Sequence, residues 1–66
     1  MKELDALTKV IFSYIQERDG QTILIKNIEK DTAITATTIR KKIKLLVEKG
    51  LINKDGKIFS VIQKGD

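Results

Sequence analysis

The sequence predicts a single α+β domain in which three helices and one short strand precede a C-terminal β-hairpin. Its 66 residues are enough for one small domain and too few for two. In two segments, apolar residues recur every three or four positions, a spacing typical of amphipathic helices. Near the C-terminus, two β-prone runs flank Asp55-Gly56, the residue pair that a type I′ hairpin turn prefers.

The first predicted helix covers residues 2–18. Its apolar stripe consists of Leu4, Leu7, Ile11, Tyr14 and Ile15, with Val10 at the edge. Gly20 suits the position just beyond a helix end. Residues 21–25 are too few and too β-branched for another helix, so they predict a brief, buried strand or extended segment.

Two further helices are predicted before the hairpin. The second runs from Ile25 to Asp31, and the third begins at Thr35, whose hydroxyl is expected to accept a hydrogen bond from a first-turn backbone amide. Through Lys49 the apolar stripe of the third helix is Ile39, Ile43, Leu46 and Val47. Gly50 fits the left-handed residue that ends this helix. The runs 51–54 and 57–62 then form the hairpin.

Composition excludes several classes of function. The chain contains no cysteine and no histidine, which rules out disulfides, a thiolate nucleophile, an imidazole base and a zinc finger. It also shows no phosphate-cradling glycine loop, so we expect no enzyme, no metal site and no cofactor. No apolar run exceeds three residues and residues 1–5 lack the apolar core of a signal peptide, so we expect a soluble, cytoplasmic protein.

Positive charge is concentrated in the second half of the chain. Residues 1–33 carry five cations against six acids, whereas residues 34–66 carry eight cations against three acids. Such an asymmetry is typical of a surface that binds polyanions, although a charge that serves only solubility is also compatible with it.

Residues 34–52 resemble the winged helix-turn-helix superfamily, the fold of many small bacterial and archaeal DNA-binding regulators. The similarity consists of a Thr-rich helix start (Thr35-Ala36-Thr37-Thr38), a basic middle (Arg40-Lys41-Lys42) and the exit Glu48-Lys49-Gly50-Leu51-Ile52. The resemblance implies a recognition helix near 35–49 and a wing near 51–62. Glu29, Thr32 and Ala33 depart from it, because many family members have a small residue, a leucine and a glycine there.

One face of the third helix and the tip of the hairpin are the predicted nucleic-acid contacts. Threonines at the helix start would contact phosphates or thymine methyls, Arg40 could pair with guanine, and lysines would neutralise phosphates. The alternative is an ordinary solvated face, with threonines as caps and hairpin lysines that protect a strand edge. The predicted residues are Thr35, Thr37, Thr38, Arg40, Lys41, Lys44, Asn53, Lys54 and Lys57.

Three apolar residues lie off the predicted stripes and are candidates for a partner interface. Leu45 interrupts the polar face of the third helix, so it either packs beneath the returning strand or contacts a partner. Phe12 and Tyr14 either extend the core around the first helix or form a dimer interface. Because the core of so short a chain is small, we expect a homodimer or a protein partner.

Together these features predict a small sequence-specific duplex-DNA-binding protein, a transcriptional regulator acting as a dimer, with no membrane contact and no evident small-molecule ligand. The alternative is a winged-helix accessory or interaction subunit of a replication, transcription or mobile-element assembly. Such a subunit would bind nucleic acid without sequence preference or as single strands. The chain has only two Phe, one Tyr and no Trp, which disfavours a platform for stacked bases.

Overall fold

The computed structural model describes residues 5–62, which form three helices and a three-stranded antiparallel sheet. The element order is α1 (Ala6–Glu17), β1 (Gln21–Thr22), α2 (Ile25–Thr32), α3 (Ala36–Glu48), β2 (Ile52–Asp55) and β3 (Ile58–Val61). Strand β3 lies in the middle of the sheet, between β1 and β2. The α+β class and its three helices are therefore confirmed.

One apolar core joins all three helices to the sheet. Its buried members are mainly isoleucines, and each is at most 9% exposed: Ile11, Ile15, Ile23, Ile28, Ile34, Ile39, Ile43, Leu46, Ile52 and Phe59. Full burial of a side chain of this size contributes about 1.5–3 kcal/mol relative to leaving it in water. The predicted stripe of α3 is confirmed at Ile39, Ile43 and Leu46, but Val47 is 40% exposed and its predicted burial is wrong.

Helix α1 starts later than predicted, and its first buried residue is Thr8 rather than Leu7. Asp5 is the N-cap, and its Oδ1 accepts hydrogen bonds from the backbone amide and the hydroxyl of Thr8, at 2.7 and 2.6 Å. Because this hydroxyl is satisfied, Thr8 is fully buried at little cost. The predicted burial of Leu7 is wrong, since it is 43% exposed; Leu4 lies outside the described residues.

The connection between α2 and α3 differs from the prediction in its hydrogen bonds. Thr35 is the N-cap of α3 by position, yet its hydroxyl donates to the Thr38 hydroxyl (3.0 Å) and accepts from no backbone amide. Instead, the Ala36 amide donates to Glu29 Oε2, 3.3 Å away on α2. The predicted cap is therefore wrong: the Thr35 hydroxyl is bonded to the Thr38 hydroxyl instead of to a first-turn amide, and Glu29 from the preceding helix binds the amide of Ala36. Ala33, which ends α2, is left-handed with φ 62°.

Both strand predictions change in detail. Strand β1 covers only Gln21–Thr22, and both residues are exposed, so the predicted burial of segment 21–25 is confirmed at Ile23 and wrong for the strand itself. In the hairpin, Asp55 pairs with Ile58, so the two-residue turn is Gly56-Lys57 and not Asp55-Gly56. Gly56 has φ 64° whereas Lys57 does not have positive φ, which defines a type II′ turn instead of type I′.

The register of the hairpin determines which side chains face the helices. Lys54 lies opposite Phe59, and both are on the inner face with the buried Ile52. Asn53 and Ile58 are on the outer face. Between residues 5 and 62, no helix has the length and apolar character needed to cross a membrane.

Candidate nucleic-acid interface

The solvent face of α3 is formed by residues at helical spacing on the side away from the core. Thr37, Arg40, Lys41 and Lys44 are exposed there, and Glu48 shares the same face. Within the described part of the chain, none of these cations forms an ion pair. The structure therefore brings these predicted residues together on one surface.

An open groove of about 480 Å³ lies beside this face, between α3, the first residue of α2 and strand β2. We call it the α3–β2 groove. Its floor is apolar, and its rim is cationic. The six lining residues are Ile25, Ile43 and Val47 on the floor, and Arg40, Lys44 and Lys54 on the rim. None of them is acidic, so the electrostatic potential in the groove favours anions.

The hairpin contributes two of its three predicted residues to this side of the molecule. The Lys54 ammonium lies 5.9 Å from the centroid of the Phe59 ring, at the rim of the α3–β2 groove. A smaller depression of about 120 Å³ shares Ile25 and Lys54 with the groove and extends to Lys57 in the turn. Asn53 projects from the opposite face of the hairpin, so the structure does not bring it to the groove.

The first turn of α3 differs electrostatically from the rest of the helix. Partial positive charge collects at a helix N-terminus, and here the Glu29 carboxylate occupies it through the Ala36 amide. The hydroxyls of Thr35 and Thr38 are hydrogen-bonded to each other. The cationic part of α3 thus begins one turn further on, at Arg40.

Most acids of the described chain make hydrogen bonds or ion pairs within the fold, whereas most cations do not. Asp5 accepts from Lys42, Asp19 from the Val61 amide, Glu29 from the Ala36 amide and Asp31 from the Tyr14 hydroxyl, while Glu17 pairs with Arg18. Glu48 and Asp55 are the acids between residues 5 and 62 without such a bond. Within residues 5–62, Arg40, Lys41 and Lys44 therefore have no acidic side chain paired with them.

Lys42 belongs to the basic middle of α3 but faces α1 instead of the groove. Its ammonium lies 2.8 Å from Asp5 Oδ2. The hydrogen bond from Lys42, followed by those from the Thr8 hydroxyl and amide, holds the pKa of the Asp5 carboxyl well below its usual range. This ion pair therefore links α3 to the N-terminus of α1.

The three candidate interface residues have different environments. Phe12 is half-buried against the core, and Leu45 is half-buried on the same flank of α3 as Lys42. The Tyr14 hydroxyl donates to Asp31 Oδ2 at 2.6 Å, and the Arg18 guanidinium carbon lies 3.8 Å from the ring centroid. Burial, together with the bond to Asp31, raises the pKa of Tyr14. Tyr14 therefore connects α1 to α2 within one chain.

Two groove residues were missed by sequence reasoning. Val47 was assigned to the core from its spacing to Ile43, and Ile25 to a short strand and the start of α2. Only the packing of α2 against α3 shows that both line one groove. The described residues contain no group of three or more acidic side chains that could hold a metal ion.

Fold and surface together define a small α+β domain with a cationic face formed by one helix and a hairpin. Comparison with family models, curated proteins and solved structures finds no match.

Proposed function

We propose that the chain is a sequence-specific duplex-DNA-binding protein of the winged helix-turn-helix type, acting as a cytoplasmic transcriptional regulator. The observation that carries the proposal is the shared surface of Arg40, Lys41 and Lys44 on α3 with Lys54 and Lys57 on the hairpin. These cations lack acidic partners within the described chain, so an external polyanion is their natural counterion.

The proposed binding mode assigns separate roles to helix and hairpin. An α-helix fits the major groove of B-DNA, where the planar guanidinium of Arg40 can donate two hydrogen bonds to guanine O6 and N7. Lys41 and Lys44 would neutralise the phosphates on either side. The hairpin would act as the wing, placing Lys54 and Lys57 on the flanking backbone.

A single copy offers few contacts, which favours binding as a dimer. If about five cations neutralise phosphates, log K should fall with log salt at a slope of about −4 to −5. Two copies bound to half-sites about one helical turn apart would restore affinity at physiological salt. Phe12 and Leu45 remain candidate contacts between the copies; Tyr14 supports this role less, because its hydroxyl is bonded to Asp31.

The decisive experiment is selection from a random duplex library, followed by measurement of the Kd and the mass of the complex. The proposal expects one enriched, palindromic duplex, bound by a dimer at least about 10³-fold more tightly than random DNA. Flat, salt-sensitive binding or a preference for single strands would replace it with the accessory-subunit alternative. Absence of any DNA binding would contradict the proposal and favour a protein partner.

A pair of charge-matched variants tests the placement of the face. Lys41→Ala with Lys44→Ala should weaken binding and reduce the salt slope by about 2, because two phosphate contacts are lost. Lys9→Ala with Lys30→Ala removes the same charge from exposed positions on α1 and α2, and should leave the slope nearly unchanged. Equal effects of the two pairs would contradict the assignment of α3 as the contact surface.

A further inference from the structure

A phosphate backbone would contact only the cationic rim of the α3–β2 groove and not its apolar floor. Its cationic rim suits phosphates, but its floor of Ile25, Ile43 and Val47 offers nothing to an ion. Val47 is 40% exposed, in a position where the fold leaves it uncovered. An occupant that uses both halves of the groove must carry an apolar body and an anionic group.

We propose that the α3–β2 groove binds a small amphipathic carboxylate, such as a medium-chain aliphatic acid. The apolar body would lie on the floor, and the carboxylate would reach Arg40, Lys44 or Lys54 on the rim. A volume of about 480 Å³ lies within the range of small-molecule sites, which are commonly apolar with a few convergent polar groups. The ligand is expected to carry a negative charge, because three of the six lining residues are cationic and none is acidic.

The bound carboxylate would also regulate the proposed function. Arg40 and Lys44 belong both to the rim and to the proposed DNA-binding face, so a ligand that neutralises them opposes binding of a phosphate backbone. Carboxylate and DNA would therefore exclude each other, and by linkage each would weaken the other to the same degree. This exclusion rests on the proposed function, whereas binding of the carboxylate does not.

The direct test is a titration of the isotope-labelled full chain with butanoate, hexanoate and octanoate. Binding is measured from the changes in the backbone amide chemical shifts. Shifts should centre on residues 40–47 and on Lys54. Affinity should rise by about twofold per methylene, because full burial of a methylene gives about fourfold and the floor covers only one side. Octylammonium, with the same chain and the opposite charge, should bind at least tenfold more weakly. Absence of octanoate binding, or equal affinity for octylammonium, would overturn the proposal.

A matched pair of valine variants locates the site. Val47→Glu places an acid on the groove floor at an exposed position, and should weaken octanoate binding at least tenfold without unfolding the chain. Val10→Glu makes the same change at a 45% exposed position on α1, and should leave octanoate binding unchanged. Thermal melts of both variants verify folding. Equal octanoate affinity of the two variants would show that the carboxylate does not lie in this groove.

Competition separates this proposal from the preceding one. Saturating octanoate should raise the apparent Kd for duplex DNA at least tenfold, while acetate at the same concentration should not. If the chain binds octanoate but no nucleic acid, the regulator proposal fails and the ligand site stands. If both bind independently, the sites are separate and mutual exclusion is wrong.

Discussion

Replacement of Ala33 by glycine should stabilise the protein, because Ala33 holds a left-handed conformation at the end of α2. For a residue with a Cβ, this conformation costs about 1–2 kcal/mol. Glycine removes that strain but loses about 0.5–1 kcal/mol more conformational entropy on folding. The Ala33 methyl is exposed, so its removal sacrifices little apolar burial. The expected net gain is about 0.5–1 kcal/mol.

Thermal unfolding followed by circular dichroism measures this gain. For a domain of this size, about 0.5–1 kcal/mol corresponds to a rise in Tm of about 2–8 °C. Ala6→Gly is the control, because Ala6 is exposed but lies in the first turn of α1, and glycine there should destabilise by up to about 1 kcal/mol. A Tm that falls by a similar amount in both variants would refute the left-handed assignment of Ala33.

Three further outcomes follow from the described contacts. Ile43→Ala should lower the free energy of unfolding by about 2–5 kcal/mol in urea titrations, since Ile43 is 4% exposed in the core; a loss below about 1 kcal/mol would contradict that burial. Gly56→Ala should lower the free energy of unfolding by at least about 1 kcal/mol in thermal melts. The added Cβ meets nothing within 4 Å, so the loss comes from the conformational strain of a non-glycine residue at φ 64°. An unchanged Tm would argue against the type II′ turn. Asp5→Asn keeps a capping oxygen but loses the ion pair with Lys42. Because folding lowers the Asp5 pKa, the wild-type advantage over this variant should be full above the unfolded pKa of about 3.9 and shrink progressively as pH falls from there through the lowered folded pKa. An equal advantage at about pH 6 and about pH 2 would refute the ionic origin.

Much of the fold could be predicted because the apolar residues recur at the spacing of a helical turn, and the same residues are the ones buried in the core. Ile39, Ile43 and Leu46 recur at helical spacing, and all three are buried. Gly20 and Gly50 follow helix ends with positive φ, as expected for residues without a Cβ. Strong periodicity with a glycine end marker therefore predicted α3 to within about one residue at each end.

The details that could not be predicted depend on contacts between distant or competing groups. Leu7 and Thr8 are neighbours, and the threonine is the buried one: it lies on the face of Ile11 and Ile15, and the Asp5 cap satisfies its hydroxyl. The Ala36 amide is bonded to Glu29, seven residues earlier, which no local capping rule anticipates. The observed hairpin turn lies one residue later than predicted. Asp55-Gly56 and Gly56-Lys57 both place glycine at a central turn position, so turn preference alone does not distinguish them.

The candidate interface was predictable where helical spacing alone placed residues together. Thr37, Lys41 and Lys44 follow from the period of α3, and all are exposed. Asn53 and Lys54 are neighbours in one strand and so lie on opposite faces of the hairpin, and the pairing of Lys54 with the buried Phe59 shows that Lys54 is on the inner face. The contribution of Ile25 to the groove required the packing of α2 against α3, which sequence periodicity does not encode.

Under the proposed function, the positions of the acidic side chains affect how fast a polyanion associates with the cationic face. Asp5 is bonded to Lys42 and Asp31 to Tyr14, and none of the residues that line the groove with Arg40 and Lys44 is acidic. The cationic rim of the groove therefore attracts a polyanion before contact and steers it toward α3. Such steering increases the association rate at low ionic strength and weakens steeply as salt is added, whereas dissociation depends on the short-range contacts.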